Sequence, residues 1–177
     1  MNLEAQVETL KTAIRDVPDF PKPGIVFKDI TTLLQDAVLF RRTVDLLVVL
    51  AGDRPVDRIV AIESRGFLLG GALAHRLGAG LVLVRKPGKL PWKTVSASYE
   101  LEYGTDSVEM HEDALTAGDR VLIVDDVIAT GGTARAVGEL TEGLGATISA
   151  YLFLAELTFL NGRKQLAGHE ILSLIRY

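Results

Sequence analysis

Two adjacent carboxylates and a glycine-rich turn lie close together in the second half of the chain. Asp125 and Asp126 follow Val121–Val124, an unbroken aliphatic run that predicts a strand buried on both faces. The segment Thr130–Thr133, Thr-Gly-Gly-Thr, then precedes a helical pattern that begins near Ala134. A helix start offers free N–H groups and the positive end of the helix dipole to a phosphate. Carboxylates suit hydroxyl groups or a divalent cation beside it, so the pattern predicts a sugar phosphate as ligand.

Four basic residues stand where such a ligand would meet them. They are, in chain order, Arg65, Arg85, Lys86 and Lys89. Each alone would usually be a solvated surface charge, and an ordinary strand–turn–helix with a solvated acidic pair remains the alternative for the motif above. Collected opposite the acidic pair, several cationic donors suit a pyrophosphate.

The elements that must position these residues alternate along the chain. Periodic apolar positions predict helices over residues 3–16, 37–51, 67–77 and 136–144, and short apolar runs predict strands over 57–63, 81–84, 121–124 and 146–154. This order indicates an α/β fold with a parallel sheet and right-handed crossovers. Ligands of such sheets bind at the carboxyl ends of the strands. That edge should gather the acidic pair, Glu63–Gly66, Arg85-Lys86 and Glu156-Leu157.

Two segments interrupt the alternation. The first, at about residues 17–36, contains three prolines and the short apolar run Ile25–Ile30, which predicts an edge strand or a hood packed on the core. The second, at about residues 87–111, begins with an irregular stretch and continues with period-two alternation at Tyr99–Tyr103, which predicts a β-hairpin. We interpret it as an active-site lid, with a plain surface hairpin as the alternative. The whole chain, 1–177, is predicted to form a single domain.

Composition excludes several classes of function. The net charge of −4 provides no basic field for nucleic acid or an anionic membrane, and no apolar run reaches the roughly 20 residues needed to span a bilayer. The chain contains no Cys, which excludes disulfides and Cys-ligated metals and suits a reducing compartment. We therefore expect a cytoplasmic protein that binds neither nucleic acid nor membranes.

Further motifs narrow the chemistry by resemblance. The segment Val121–Thr133 resembles the phosphoribosyl-pyrophosphate (PRPP) signature of the type I phosphoribosyltransferases. Five other blocks are similar to those of the adenine-specific members: Phe20-Pro21-x-Pro23-Gly24-x-x-Phe27-x-Asp29-Ile30, Ser64-Arg65-Gly66-Phe67, Arg85-Lys86-x-Gly88-Lys89-Leu90-Pro91, Ser98-Tyr99-x-Leu101-Glu102-Tyr103-Gly104, and Glu156-Leu157-Thr158 with Gly162-Arg163. The resemblance implies the type I fold with an N-terminal hood and a β-hairpin lid, and a homodimer. It also implies a Mg²⁺-dependent reaction of adenine with PRPP that gives AMP and pyrophosphate in purine salvage.

The same resemblance implies a role for each matching residue. Asp125 and Asp126 would hold the ribose hydroxyls, and the 5′-phosphate would lie on Ala129, Thr130, Gly131, Gly132 and Thr133. Pyrophosphate would meet Ser64, Arg65, Arg85, Lys86 and Lys89. Adenine would meet Val26, Lys28 and Leu157, and Glu102 would transfer a proton. The catalytic set is thus Glu102, Asp125, Asp126 and Arg65, and Mg²⁺ would be held mainly through PRPP.

One position departs from the family pattern. Lys28 stands where the family often has Arg, and a point charge does not replace a planar fork of donors. Adenine recognition by the side chain of Lys28 is therefore less secure than recognition by the backbone at Val26.

Two alternatives concern the substrate and the class of protein. A phosphoribosyltransferase for xanthine or hypoxanthine–guanine would need a donor for the purine carbonyl near the last strand. The sequence offers none there before Arg163, which favours adenine. A PRPP-sensing regulator would need a DNA-binding module, and only about 20 residues precede the core.

Overall fold

A computed structural model describes residues 2–101 and 104–177 of the chain. It comprises two compact units, the smaller extending to Leu46 and the larger covering Leu47–Tyr177. The single domain over 1–177, with its hood and lid, stays a prediction. Within the described residues, no helix combines the length and the apolar character needed to cross a bilayer.

The smaller unit contains two helices and a two-stranded hairpin, with a third helix that spans the division. Its elements are α1 (Leu3–Ala13), β1 (Arg15–Pro18), β2 (Val26–Asp29), α2 (Thr31–Gln35) and α3 (Ala37–Ala51). Helix α1 begins where the Asn2 side chain accepts a hydrogen bond from the Ala5 N–H at 2.9 Å. It ends three residues before the predicted boundary, because Arg15 already pairs with Asp29 in the hairpin.

The larger unit contains the predicted parallel sheet. Its elements are β3 (Arg58–Ile62), α4 (Gly66–Leu77), β4 (Gly80–Val84), β5 (Thr94–Leu101), β6 (Gly104–His111), β7 (Arg120–Ile128), α5 (Gly132–Gly143), β8 (Thr147–Glu156) and β9 (Ile171–Arg176). Five strands pair in parallel in the order β4-β3-β7-β8-β9. The predicted α/β class and the flanking helices are confirmed. Gly78 ends α4 in the left-handed conformation expected of a C-cap glycine.

Two features of the sheet differ from the prediction. Strand β7 runs four residues beyond Val124, because Asp125, Val127 and Ile128 continue the ladder with β8. The acidic pair therefore belongs to the strand instead of following it. Sequence analysis also missed β9, which pairs with β8, the preceding strand of the chain. Four of its six residues, Ile171, Leu172, Leu174 and Ile175, are apolar, a signal that the sequence analysis did not use.

The hairpin β5–β6 packs on the core of the larger unit. Tyr99, Val108 and Met110 are buried in the same cluster as the central strands. The connection Pro87–Lys93 is irregular, as predicted, and its Trp92 is 62% exposed. The hairpin itself is thus confirmed, whereas its movement as a lid stays a prediction.

Helix α5 lies unusually close to β8 at one glycine. A methyl group built on Gly138 would be only 2.0 Å from the hydroxyl oxygen of Tyr151. Tyr151 is 2% exposed, and burial raises the pKa of its hydroxyl. The absence of a side chain at Gly138 therefore sets the spacing between helix and sheet at this point.

Candidate active site

The acidic pair lies at the carboxyl end of β7, beside the start of α4. The Oδ1 atom of Asp125 accepts a hydrogen bond from the Asp126 N–H at 2.8 Å, and a methyl group on Gly66 would be 2.9 Å from the same oxygen. Asp126 is only 5% exposed. Burial, and after it the charge of Asp126, raises the pKa of the Asp125 carboxyl well above its usual range. Two carboxylates this close suit a ligand that donates hydrogen bonds or brings positive charge.

The phosphate loop, Ala129–Thr133, joins β7 to the first turn of α5. Gly131 caps the helix in the left-handed region, with φ 87°. The first N–H groups of the helix have no partner within it. Together with Asp125, Phe153 and neighbouring residues, the loop lines a cavity of about 90 Å³. This is room for several water-sized groups, and the helix dipole favours an anion there.

A second turn packs directly behind the phosphate loop. A methyl group on Gly131 would be 2.4 Å from the carbonyl oxygen of Gly162, and one on Gly162 would be 2.3 Å from that of Ala129. Neither side can accept a side chain without moving backbone. The loop's shape is therefore fixed by backbone contact, and Gly162 is a supporting residue to which sequence analysis assigned no role.

Arg65 joins the turn after β3 to the acidic pair. Its Nε donates a hydrogen bond to the Oδ2 atom of Asp126, and its side chain is 36% exposed. Ser64, next to it, is exposed. The structure thus brings the predicted pyrophosphate turn, Glu63–Gly66, against the predicted ribose-binding carboxylates.

The basic segment, Arg85–Lys89, meets the same turn through Glu63. This carboxylate accepts hydrogen bonds from Lys89 Nζ at 2.6 Å and from the Lys86 N–H at 2.8 Å, and Arg85 Nε lies 3.4 Å away. Burial opposes ionisation of Glu63, but these donors outweigh it and lower the pKa of the carboxyl. Sequence analysis missed this acceptor, although an acid directly after a strand and near several cations was the available signal.

The ammonium of Lys86 points to the hairpin. It donates to the hydroxyl of Tyr99 at 2.7 Å and to the carboxylate of Asp106, and lies 5.3 Å from the centre of the Tyr99 ring. Burial alone would lower the pKa of Lys86, but Asp106 and Tyr99 raise it. Sequence analysis did not single out Asp106.

A buried ion pair occupies the end of β8. Glu156 is 5% exposed, and its two oxygens accept hydrogen bonds from Nε and Nη2 of Arg163 at 2.5 and 2.7 Å. Arg163 also donates to the Ile171 carbonyl oxygen at 2.9 Å and to Ser173 Oγ at 3.2 Å. Burial raises the pKa of Glu156, but Arg163 and Ser173 together hold it below its usual range. Arg163 is thus committed to structure, and Leu157, the next residue after Glu156, is half-buried.

Three predicted site residues belong to other parts of the chain. Val26 and Lys28 are on β2 of the smaller unit, where Val26 is 47% exposed and the Lys28 ammonium is 2.6 Å from Asp16 Oδ1. Glu102, predicted to transfer a proton, lies outside the described residues.

Comparison with known proteins identifies the family. The model of the phosphoribosyl transferase domain matches residues 48–158. A protein from Geobacter metallireducens named adenine phosphoribosyltransferase is 58% identical over 171 residues, covering 97% of this chain and 100% of its own.

The chain belongs to the adenine phosphoribosyltransferase family.

Solved structures of adenine phosphoribosyltransferases share the fold. That from Thermoanaerobacter pseudethanolicus superposes with a TM-score of 0.95 at 55% identity, over 97% of this chain and 99% of that one. The Saccharomyces cerevisiae enzyme, complexed with adenine and an imino-altritol bisphosphate, gives 0.90 at 43% identity, over 97% and 99%. The predicted type I phosphoribosyltransferase fold and the predicted family are confirmed.

Proposed function

We propose that this protein transfers the 5-phosphoribosyl group from PRPP to adenine, giving AMP and pyrophosphate in purine salvage, and that the site described above carries out the transfer. The observation that carries the proposal is the Asp125–Asp126 pair, half-buried at Asp125 and buried at Asp126, which lies on β7 just before the phosphate loop at the start of α5. This arrangement offers hydroxyl acceptors and anion donors side by side, as a phosphorylated ribose requires. Full-length relatives of the same family support the activity.

In this proposal the ribose 5-phosphate half of PRPP binds to β7 and its loop. The N–H groups of Ala129–Thr133 hold the 5′-phosphate, and the carboxylates of Asp125 and Asp126 accept hydrogen bonds from the ribose hydroxyls. Displacement at the anomeric carbon passes through a cation-like sugar, as in glycoside hydrolysis. The buried carboxylates then stabilise that developing positive charge.

The pyrophosphate half meets the turn Glu63–Gly66 and the basic segment. Ser64, Arg65, Arg85, Lys86 and Lys89 supply its donors in this proposal. Each of the four cations contacts a carboxylate of this chain, so each must exchange that partner, wholly or in part, for pyrophosphate. Exchange of one anion for another of higher charge is favourable near cations.

Mg²⁺ fits this site as an ion that arrives with the substrate. Among residues 2–101 and 104–177, no three or more His, Cys, Asp or Glu side chains group as metal ligands. Mg²⁺ often binds through substrate phosphates and one or two carboxylates, and Asp125 and Asp126 are the carboxylates at hand. Such an ion would offset the charge of the departing pyrophosphate.

Selectivity for adenine is supported by the sequence that follows Leu157, which offers no cationic hydrogen-bond donor for a purine carbonyl before Arg163. The carbonyl group of an oxo-purine needs a hydrogen-bond donor, but the N–H groups of Arg163 already donate to Glu156, Ile171 and Ser173. Adenine recognition in this proposal comes from the backbone of Val26, the apolar side chain of Leu157 and, to a lesser degree, Lys28. Glu102 serves as the proton-transfer group in the same proposal.

A cytoplasmic homodimer completes the proposal. The lack of Cys suits a reducing compartment. Leu68 on α4 and Leu81 and Leu83 on the edge strand β4 are exposed apolar side chains that a second copy would cover. Light scattering after size-exclusion chromatography measures the oligomeric state directly, and a monomer at micromolar concentration contradicts this part.

The deciding experiment identifies the nucleotide formed. Purified protein is incubated with PRPP, Mg²⁺ and each of five nucleobases separately, with the Asp126→Asn variant as control. We expect AMP from adenine and little product from hypoxanthine, guanine, xanthine or uracil. If an oxo-purine forms its nucleotide faster than adenine does, that base is the substrate instead of adenine. If no base gives a nucleotide, the proposed transfer is refuted.

A further inference from the structure

Asp106 is a carboxylate near the site for which the reaction as described has no use. It lies on β6 and faces Tyr99 across the hairpin, in register. Its Oδ2 atom accepts hydrogen bonds from the Lys86 ammonium and from the Tyr99 hydroxyl, the latter at 3.1 Å. The side chains of Lys86 and Asp106 are 37% and 33% exposed, so water reaches the pair. An ion pair this exposed is weak and exchangeable.

The pair stands at the border between the two halves of the site. On one side, the backbone N–H of Lys86 donates to Glu63 beside the Glu63–Gly66 turn. On the other, the Tyr99 ring lies 3.4 Å from the position of a methyl group on Gly132, in the first turn of α5. A rotation of the flexible Lys86 side chain would therefore bring its ammonium to the proposed pyrophosphate site. In the free protein, Asp106 holds that ammonium at the hairpin.

We propose that Asp106 is a positioning residue that competes with pyrophosphate for the ammonium of Lys86. In the free protein the ammonium rests on Asp106 and Tyr99. When pyrophosphate binds, as part of PRPP or as product, Lys86 exchanges the single carboxylate for the more highly charged anion. When pyrophosphate leaves, Asp106 takes the ammonium back, so the exchange weakens binding of the leaving group and favours its release. This inference rests on the proposed function.

Asp106→Asn removes the competing charge while keeping the size of the side chain and an oxygen that accepts from Tyr99. Pyrophosphate should then inhibit more strongly, with an inhibition constant lower by about two- to fivefold, the range expected from an exposed ion pair. The KM for PRPP should fall in the same direction. A purely structural support of the hairpin predicts the opposite sign, because its loss would disorder the site and weaken binding.

The test is a double-mutant cycle read out by pyrophosphate inhibition and by calorimetry with magnesium pyrophosphate. The fall in the constant should disappear when Asp106→Asn is placed on a Lys86→Gln background, and Asp106→Glu should return the wild-type constant. Glu112→Gln is the control, since Glu112 pairs with Lys93 at 3.9 Å, in a longer and more exposed ion pair at the other end of the hairpin. It removes the same charge and should leave the constant unchanged.

Three results would overturn the inference: an unchanged or raised constant in Asp106→Asn, an equal fall on the Lys86→Gln background, or an equal fall in Glu112→Gln. Failure of the proposed function is distinguishable from these. It would appear as wild-type protein that forms no AMP, whereas calorimetry of pyrophosphate binding tests Asp106 without any turnover.

Discussion

In the proposed function the phosphate loop and the basic segment bind the two ends of PRPP, and the structure holds these two segments in place differently. The loop, Ala129–Thr133, is fixed by backbone contacts between Gly131, Gly162 and Ala129 that exclude any side chain. The basic segment, Arg85–Lys89, is held by ion pairs with Glu63 and Asp106. Backbone contact gives a preformed site that binds with little rearrangement, whereas ion pairs give cations that must change partners. Under the proposed function, we therefore expect the 5′-phosphate to meet a preformed site, whereas pyrophosphate must displace carboxylates from the cations that bind it.

The largest effect should come from breaking the backbone contact. In Gly131→Ala, the new methyl group would meet the Gly162 carbonyl oxygen at 2.4 Å, and φ 87° is strained for any residue with a side chain. The loop must move, so kcat/KM for PRPP should fall at least a hundredfold, about 2.7 kcal/mol. Gly143→Ala, at the other end of α5, is the control. A methyl group on Gly143 would have no neighbouring atom within 4 Å, so this variant should keep wild-type kinetics. A wild-type KM for PRPP in Gly131→Ala would show that the loop is not preformed.

The next effect concerns the carboxylate that links the two regions. Asp126→Asn keeps the size of the side chain but removes the charge that pairs with the Arg65 guanidinium and that, in the proposed function, faces the cation-like sugar. We expect a loss of at least tenfold in kcat/KM, about 1.4 kcal/mol. Steady-state kinetics with both substrates measure it, and circular dichroism checks that the fold is retained. Full activity in this variant would remove Asp126 from the ribose-binding assignment.

A smaller effect should follow from removing one exchangeable cation. Lys89→Gln takes away an ammonium that sits 2.6 Å from Glu63 and is 48% exposed. The KM for PRPP should rise about three- to tenfold with kcat nearly unchanged, and the difference should shrink at high salt. Lys93→Gln, whose side chain is 73% exposed and 3.9 Å from Glu112, is the matched control with no expected change. Equal effects of the two variants would mean that only general charge matters.

The smallest effect is a change in thermal stability, and the raised pKa of Asp125 fixes its direction. The pKa of Asp125 is raised in the folded protein, so its stabilising contribution is complete below the unfolded-state pKa of about 3.9 and is lost as pH rises through the folded-state pKa. Asp125→Asn stays neutral and keeps an oxygen for the Asp126 N–H. Its Tm should exceed that of wild type at pH 8, and the difference should vanish near pH 4. Thermal unfolding across this range tests it, and a lower Tm at pH 8 contradicts the assigned direction.

The sequence predicted the structural features that depend on residues close together in the chain. The helices and four parallel strands follow from periodicity, and Gly78 ends its helix as expected. The prediction failed at two places in the sheet: β7 continues through Asp125 because β8 lies beside it, and β9, despite its apolar residues, was not assigned as the strand that pairs with the other edge of β8. Charged residues on predicted strand ends were correctly placed near one another at Arg65 and Asp126.

The sequence predicted which residues lie near the candidate site better than it predicted which side chains contact one another. Nothing in the local sequence reveals that Lys86 turns to Asp106, since that contact depends on how β6 lies beside the segment after β4, where Arg85 pairs with Glu109. The same is true of Gly162, whose importance lies in the atoms that touch it and not in its own chemistry. Resemblance assigned roles to residues, whereas the structure shows which of those residues are already engaged.

The close approach of Gly138 and Tyr151 has a consequence for how sequences of this kind can diverge. With the hydroxyl oxygen 2.0 Å from the position of a methyl group, residue 138 cannot take a side chain while Tyr151 keeps its hydroxyl. Alanine at 138 would favour the helix by roughly 1 kcal/mol relative to glycine, yet it becomes accessible only after Tyr151 has lost its hydroxyl. Any lineage that replaces the tyrosine by phenylalanine is thereby released to replace the glycine. A side chain at 138 should therefore occur only together with a residue at 151 that lacks the hydroxyl, so sterics fixes the order of the two substitutions.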